Sequence, residues 1–387
     1  MAKKFQKAFA LFFFILTFFT VATNSVAAGT PLSSAGNTRP ASLFAFGLTP
    51  ANLRESNFPE ENFPLPVGKS ARSDTTLLYP GGVPFGVKFI TEGVMVVGFC
   101  DVATKDKNVN PSLDAGLQQG DLILKVNDSE LCGADELTSV VESCKGKPLK
   151  LLCRRDGKDY TTTLHPAYSA AEGRYKTGVY VRDSGAGIGT ITFIIPETFA
   201  FAGLGHGICD ADSGKLIPMQ RGTVADVTIN GVVKGLPGAP GEVKGYFSSG
   251  KTGSLIGNTE CGVYGVMTKL PTGVPFDKPV PVGKRDEVQP GKAWLYCTLD
   301  VGGVCRYEIE ISDIHQDSLS NKCFTVKVTD PALLEKSGGI VQGMSGSPIL
   351  QNGKLVGAVT HVLINDPTTG YGIFIENMLN QMGDLAA

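Results

Sequence analysis

From residue 174 to the C-terminus the chain is a succession of short β-rich runs, each cut by glycine or proline. That punctuation constrains the fold more than any other feature. The runs at 224–229, 293–299, 307–311, 324–328 and 355–361 are rich in β-branched and aromatic residues and too short for helices. About a dozen such runs over ~200 residues predict a β-sandwich or a pair of barrels. The 48 glycines and 23 prolines fit that reading, and 42% hydrophobic content permits proper cores. At 387 residues the chain suits two domains plus linkers. The formal net charge is −2, and no basic stripe is interleaved with aromatics, which argues against nucleic acid as a partner.

The N-terminus carries an address. Lys3, Lys4 and Lys7 precede an apolar run over residues 8–22, and small residues follow at Ser25-Val26-Ala27-Ala28. This layout predicts a secretory signal peptide, or an N-terminal membrane anchor, over residues 1–28. Residues 29–79 lack periodicity and read as a linker, with Leu43-Phe44-Ala45-Phe46 its one sticky stretch. Nine cysteines are an odd number, no CxxC pair occurs, and the spacings do not resemble a zinc site. They read as mostly buried free thiols, with no metal and no cofactor implied.

Residues 80–167 form the first expected domain. Two β-rich runs, 86–90 and 94–99, flank Thr91-Glu92-Gly93 in a hairpin pattern. Ala115 to Asn127 then reads Ala-Gly-Leu-Gln-Gln-Gly-Asp-Leu-Ile-Leu-Lys-Val-Asn, a short helix, a glycine turn and an alternating strand. This stretch resembles a bacterial PDZ domain. The resemblance implies a groove in which a peptide adds as an extra strand, its end held by the loop matching Phe85, Gly86 and Val87. The loop departs from the usual Gly-Leu-Gly-Phe, and a purely structural β-domain is the alternative.

Gly343-Met344-Ser345-Gly346-Ser347-Pro348 carries the chemistry. A glycine before the serine lets the loop curl so that the backbone N–H groups of Gly343 and Ser345 converge, as an oxyanion hole requires. The glycine after it leaves the hydroxyl open to substrate. Ser345 is therefore the candidate nucleophile, with Ser347 in the small-residue slot behind it. A nucleophilic serine needs a base, and four histidines are available. His165 closes the PDZ-like stretch and His315 lies in a polar loop. His361 ends the strand after the nucleophile. His206 lies between glycines in Leu204-Gly205-His206-Gly207-Ile208, and composition places it only a little ahead of His361.

These motifs, with Val181-Arg182-Asp183, Ala186-Gly187-Ile188-Gly189-Thr190, Gly357-Ala358-Val359-Thr360-His361 and Asn365-Asp366-Pro367-Thr368, resemble the SpoIVB peptidase family in one order. The resemblance implies a mainly β fold, a PDZ domain followed by a trypsin-like double β-barrel serine peptidase over residues 174–387. It implies His206 as base, Ser345 as nucleophile and Asp330 as the acid that holds the imidazole. Asp183, Asp210 and Asp212 are rival acids, although Asp210 and Asp212 read as turn residues, and Cys209 reads as a packed thiol. Thr360 and His361 are candidates for the primary specificity pocket. The family's role would be an exported endopeptidase of the forespore intermembrane space. It cuts a membrane-bound regulator of an intramembrane protease, leading to activation of a late sporulation sigma factor, with self-cleavage and PDZ control. Two alternatives stand: a catalytically silent PDZ adaptor, and a general envelope quality-control protease of the HtrA sort. Proteases of the latter sort place the protease ahead of the PDZ domain, the reverse of this chain.

Overall fold

The structure is a computed structural model, described here for residues 76–248 and 250–384. The expected signal or anchor at 1–28, and the linker at 29–79 except its last four residues, lie outside the described residues. The chain forms two compact units. One comprises Ile90–Ser184 and Ile208–Gln220; the other takes in residues 76–89, Gly185–Gly207 and 221–384. These limits differ from the expected borders at 80, 167 and 174, because residues 80–89 fold with the peptidase unit and 208–220 with the PDZ-type unit.

Strand β1 (Leu77–Pro80) opens the chain, followed by β2 (Pro84–Phe99). The expected hairpin at residues 91–93 is instead a bend within one continuous strand. Thr91 is buried and its hydroxyl donates to Gly93 O at 2.7 Å. Gly93 takes φ +64, and a Cβ there would fall 2.3 Å from Ile123 O. The second half of β2 therefore pairs with β3 (Leu122–Val126) rather than with the first half, Val94 facing Ile123.

In the PDZ-type unit the short helix α1 (Pro111–Asp114) precedes β3 and is capped by Asn110, which accepts from Leu113 N at 3.1 Å. Helix α2 (Ala134–Ser143), β4 (Leu149–Arg155) and β5 (Lys158–Leu164) follow. Strands β2, β3, β4 and β5 are neighbours in that order. Leu117, Ile123, Leu137 and Leu151 are among the buried residues of their common core. Asp121, in the run that resembled a PDZ domain, has no exposed side-chain surface. It accepts from Arg155 Nε, Tyr160 Oη and Gln118 N, each at 2.7 Å. Burial alone would raise its pKa, but these bonds outweigh burial and hold it below the usual carboxylate value.

Strand β6 (Val179–Ile194) leads into the peptidase unit, joined there by β7 (Ala200–Gly203), β8 (Met219–Val233), β9 (Glu242–Phe247), β10 (Gly253–Thr259) and β11 (Gly262–Met267). The order β2-β6-β7-β11-β10-β8 returns to β2, so these strands follow one another around a ring. A second, closed barrel holds β12 (Gly291–Thr298), β13 (Val304–Ser312), β14 (Phe324–Val328), β15 (Pro348–Gln351), β16 (Lys354–Leu363) and β17 (Asp366–Phe374). Helix α3 (Pro331–Ser337) follows β14, and α4 (Ile375–Asp384) ends the unit. The fold is the expected one: mainly β, a PDZ-type unit and a trypsin-like double barrel. Alternation along the strands fills both interiors. Phe193, Phe201, Leu295, Ile309, Val326 and Ile373 are each 2% exposed or less.

Candidate active site

The loop that carries the candidate nucleophile Ser345 lies between α3 and β15, and its backbone is fixed residue by residue. Gln342 O accepts from Val243 N at 2.8 Å, and Met344 O accepts from Ser347 N at 2.9 Å. The C=O and N–H of a trans peptide point in opposite directions, so these two bonds turn the amides of Gly343 and Ser345 away from the protein behind them. Among the described residues neither amide donates to an acceptor of the chain. Gly343 sits at φ +95, a conformation glycine adopts freely. The arrangement is two unspent donors beside one half-buried serine.

Thr190 on β6 holds the loop in place. Its N–H donates to Ser345 O at 3.1 Å and its hydroxyl to Gly343 O at 2.8 Å. Two residues along, Thr192 Oγ1 donates to Gly346 O at 2.8 Å. Both threonines are buried, at 3% and 0% exposure. Thr190 O also accepts from Leu204 N at 3.2 Å, so the same residue anchors the turn that carries His206. The approach is close: a Cβ on Gly346, at φ +92, would lie 2.1 Å from Thr190 O and 2.4 Å from Leu204 N. Only glycine fits there.

His206 follows β7 through a sharp turn, with Leu204 and Gly205 both at positive φ. The turn packs on β16, since a Cβ on Gly205 would reach Thr360 Cγ2 at 2.9 Å. The imidazole is 3% exposed. Its Nδ1 lies 2.9 Å from Gly207 O, which fixes the proton on Nδ1, and its Nε2 has no hydrogen-bond partner among the described residues. Burial lowers the pKa of the ring, and the bond to Gly207 opposes that shift. The ring is therefore neutral at physiological pH with a free lone pair on Nε2, as a general base requires. Ser345 Oγ donates to Thr360 O at 2.9 Å. Rotation about the serine χ1 would have to free it from that carbonyl before its proton could pass to a base.

Asp330 does not hold the imidazole. Its Oδ1 accepts from Ala332 N at 2.9 Å and Leu333 N at 3.4 Å, capping α3, and its Oδ2 accepts from Glu308 N at 3.0 Å. The reason is local: aspartate directly before Pro331, the first helical residue, is a strong N-cap signal. The partner of His206 Nδ1 is a backbone carbonyl instead. Asp183 and Asp210 lie in the PDZ-type unit, where Asp183 accepts from Ala134 N at the start of α2 and Asp210 pairs with Arg182 at 3.0 Å. Asp212 is exposed and bonds Arg182 at 3.2 Å.

Thr360 lies against Ser345 and His361 against His206. Thr360 is 1% exposed, and its hydroxyl is spent on Asn321 O and Tyr371 O. The His361 ring lies against that of His206, centroids 4.9 Å apart and planes tilted by 38°. Ser347 is fully buried behind the loop, in the small-residue position expected of it. His165 and His315 are exposed. The PDZ loop residues are also placed differently. Phe85 and Val87 are 1% exposed inside the peptidase unit, Phe85 packs edge-on to Phe201 at 5.6 Å, and a Cβ on Gly86 would strike the Phe247 ring at 2.1 Å. All three lie on β2 within the packed peptidase unit, not in a loop of the PDZ-type unit. No disulfide forms, and no cluster of three metal-ligating side chains occurs, among the described residues.

The model of the SpoIVB peptidase S55 family matches residues 173–379, more than half of the chain. The chain belongs to that family. It is accordingly a serine endopeptidase, and the two loops that Thr190 ties together belong to the matched segment. A search of curated proteins finds no match. Among solved structures, the PDZ domain of an SdrC-like protein from Listeria monocytogenes is 23% identical, covering 23% of this chain and 87% of that one, with a TM-score of 0.20. The HtrA-type protease AlgW with a decapeptide is 14% identical over 55% of this chain and 54% of that one, TM-score 0.31. The active form of the Rv3671c protease from M. tuberculosis is 14% identical over 52% and 75%, TM-score 0.30. These overlaps are too loose to argue from, and the fold rests on the strand order itself.

Three outcomes follow for the peptidase. Asp330→Asn retains the cap, because asparagine caps as well as aspartate, and should leave kcat within a few-fold. A triad acid would lose on the order of 10⁴. Asp330→Ala should lower stability by about 1 kcal/mol in chemical denaturation. Thr190→Val keeps the shape but removes the bond to Gly343 O, and should lower kcat about 10–100-fold with KM little changed, the scale expected of a misplaced reacting group. Unchanged kcat would show that the loop holds itself.

Proposed function

We propose that Ser345 is the nucleophile and His206 the general base of this endopeptidase, with Gly343 N and Ser345 N as the oxyanion hole. Ser345 Oγ leaves Thr360 O and passes its proton to His206 Nε2 as it attacks the scissile carbonyl. The oxyanion is met by the two amides, and the imidazolium returns its proton to the leaving amine. Water then repeats the sequence on the acyl-enzyme. The observation that carries this reading is the pair of unspent amides beside Ser345, anchored by the same threonine that anchors the His206 turn.

On the family's pattern, the enzyme acts in endospore formation. It is exported through its lysine-led apolar N-terminus into the forespore intermembrane space, where it cuts a membrane-bound regulator of an intramembrane protease and processes itself. Family membership and residues 1–28 support this reading. An adaptor without activity is disfavoured by a base-competent His206 and a framed Ser345.

Peptide capture by the PDZ-type unit passes from Phe85–Val87 to the start of β6. Cys100 N donates to Gly178 O at 2.9 Å, placing this segment beside β2, and Gly178 turns at φ +74. Val179 and Val181 pack against the core that contains Leu137 and Val141 of α2. A strand next to a helix, entered through a glycine turn, is the layout that strand addition uses.

A fluorophosphonate probe tests the chemistry. It should label the wild type and Ser347→Ala but not Ser345→Ala, and equal labelling of wild type and Ser345→Ala would end the assignment. For the groove, a photo-crosslinking decapeptide with a free, hydrophobic C-terminus should attach at residues 177–183 or on α2. Attachment at Phe85 to Val87 would restore the original loop.

A further inference from the structure

The SpoIVB-type reaction needs something to steady His206 once it is charged, and no carboxylate bonds its Nδ1 among the described residues. The Gly207 carbonyl bonds the ring, and the His361 imidazole lies against it with its centroid 4.9 Å away. From the side-by-side rings we propose that His361 is the positioning residue of the base. Its aromatic face fixes the plane of His206 and stabilises the imidazolium formed when Ser345 is deprotonated.

Three observations converge on this role. First, His361 follows Thr360 on β16, and Thr360 O holds the Ser345 hydroxyl, so one strand presents the resting serine and the partner of the base at adjacent residues. Second, His206 is almost wholly buried, so water supplies little stabilisation to its charged form. A cation against an aromatic face gains most when both are desolvated. Third, His361 stays neutral. Burial first, then the neighbouring His206 and Lys322, push its pKa down to about 2. Lys322 itself lies over the Tyr371 ring at 5.3 Å. A neutral ring can support a positive one, whereas a second charge would oppose it. His361 gains and loses no proton in the reaction; the proton moves between Ser345 Oγ, His206 Nε2 and the leaving amine.

The contact makes a directional prediction. Stabilising the imidazolium raises the basicity of His206, so losing the aromatic face makes it a weaker base. Its proton then binds only at lower pH, and the acid limb of the rate profile moves down. Mere loosening would admit water, favour the charged form and move that limb up.

The test is the rate of Ser345 labelling by a fluorophosphonate against pH, in the full chain. His361→Leu should lower the plateau rate by about 3–30-fold, the range a desolvated cation–aromatic contact spans, and shift the acid limb down by up to about one unit. His361→Phe, which keeps an aromatic face, should stay within about three-fold with its limb unmoved. If the leucine variant does not fold, His361→Gln, which has no ring, is read in the same way. An unchanged plateau, an acid limb that moves up, or a phenylalanine variant as slow as the leucine one would each overturn the proposal. Because the idea rests on the roles of Ser345 and His206, labelling that persists in Ser345→Ala sinks that reading. Failure of the His361 series alone leaves it standing.

Discussion

Thr190 is the residue on which the rest of the site depends. It donates twice to the loop that carries Ser345, through its amide and its hydroxyl, and accepts once from the turn that carries His206. A loop and a turn that are far apart in sequence thereby share one anchor on a core strand. The remaining features follow from how close that anchor brings them. Gly346 has no room for a side chain, and its positive φ is the conformation such crowding requires. The bonds that Val243 N and Ser347 N make to Gln342 O and Met344 O turn the amides of Gly343 and Ser345 the other way. The proposed oxyanion hole thus consists of backbone amides already oriented in the resting protein, so no reorganisation is needed when charge develops.

Deep burial of His206 has two consequences. It keeps His206 neutral, with the proton on Nδ1 and the lone pair on Nε2, the correct state for removing a proton from serine. It also makes the charged state costly, which a carboxylate offsets in most triads. Here Asp330, the aspartate nearest in sequence to Ser345, is committed to the start of α3, where three backbone N–H groups occupy it. The orienting bond falls to Gly207 O, and the facing ring is His361. Resting Ser345 on Thr360 O is consistent with an enzyme whose catalytic bond tightens only when substrate arrives.

Much of this was legible in the sequence, and the exceptions have physical causes. The strands at 224–229, 293–299 and 324–328 announced themselves by β-branched content and glycine punctuation, and the structure contains each of them. The pattern Gly343-Met344-Ser345-Gly346 marked the loop, because positive φ there demands glycine. Residues 91–93 carry the composition of a hairpin turn, yet the chain bends and runs on, since Ile123 pairs with Val94 and supplies the tertiary partner. Phe85, Gly86 and Val87 matched a loop by position, but their apolar alternation belongs to a buried strand. Asp330 followed by proline is a helix cap by elementary local rules, and only the family resemblance suggested a triad acid. Thr190 and Thr192 were missed as functional residues. Buried threonines alternating on an apolar strand hint at hydroxyl bonds to main chain, but their acceptors lie more than 150 residues away.

The most direct test of the account is a crystal structure of the full chain after reaction with a fluorophosphonate. The phosphonyl group should be bonded to Ser345 Oγ, its oxygen held by Gly343 N and Ser345 N at about 2.7–3.1 Å, with the His206 ring facing the adduct. An adduct on another serine, or a phosphonyl oxygen turned to solvent while both amides stay empty, would contradict it.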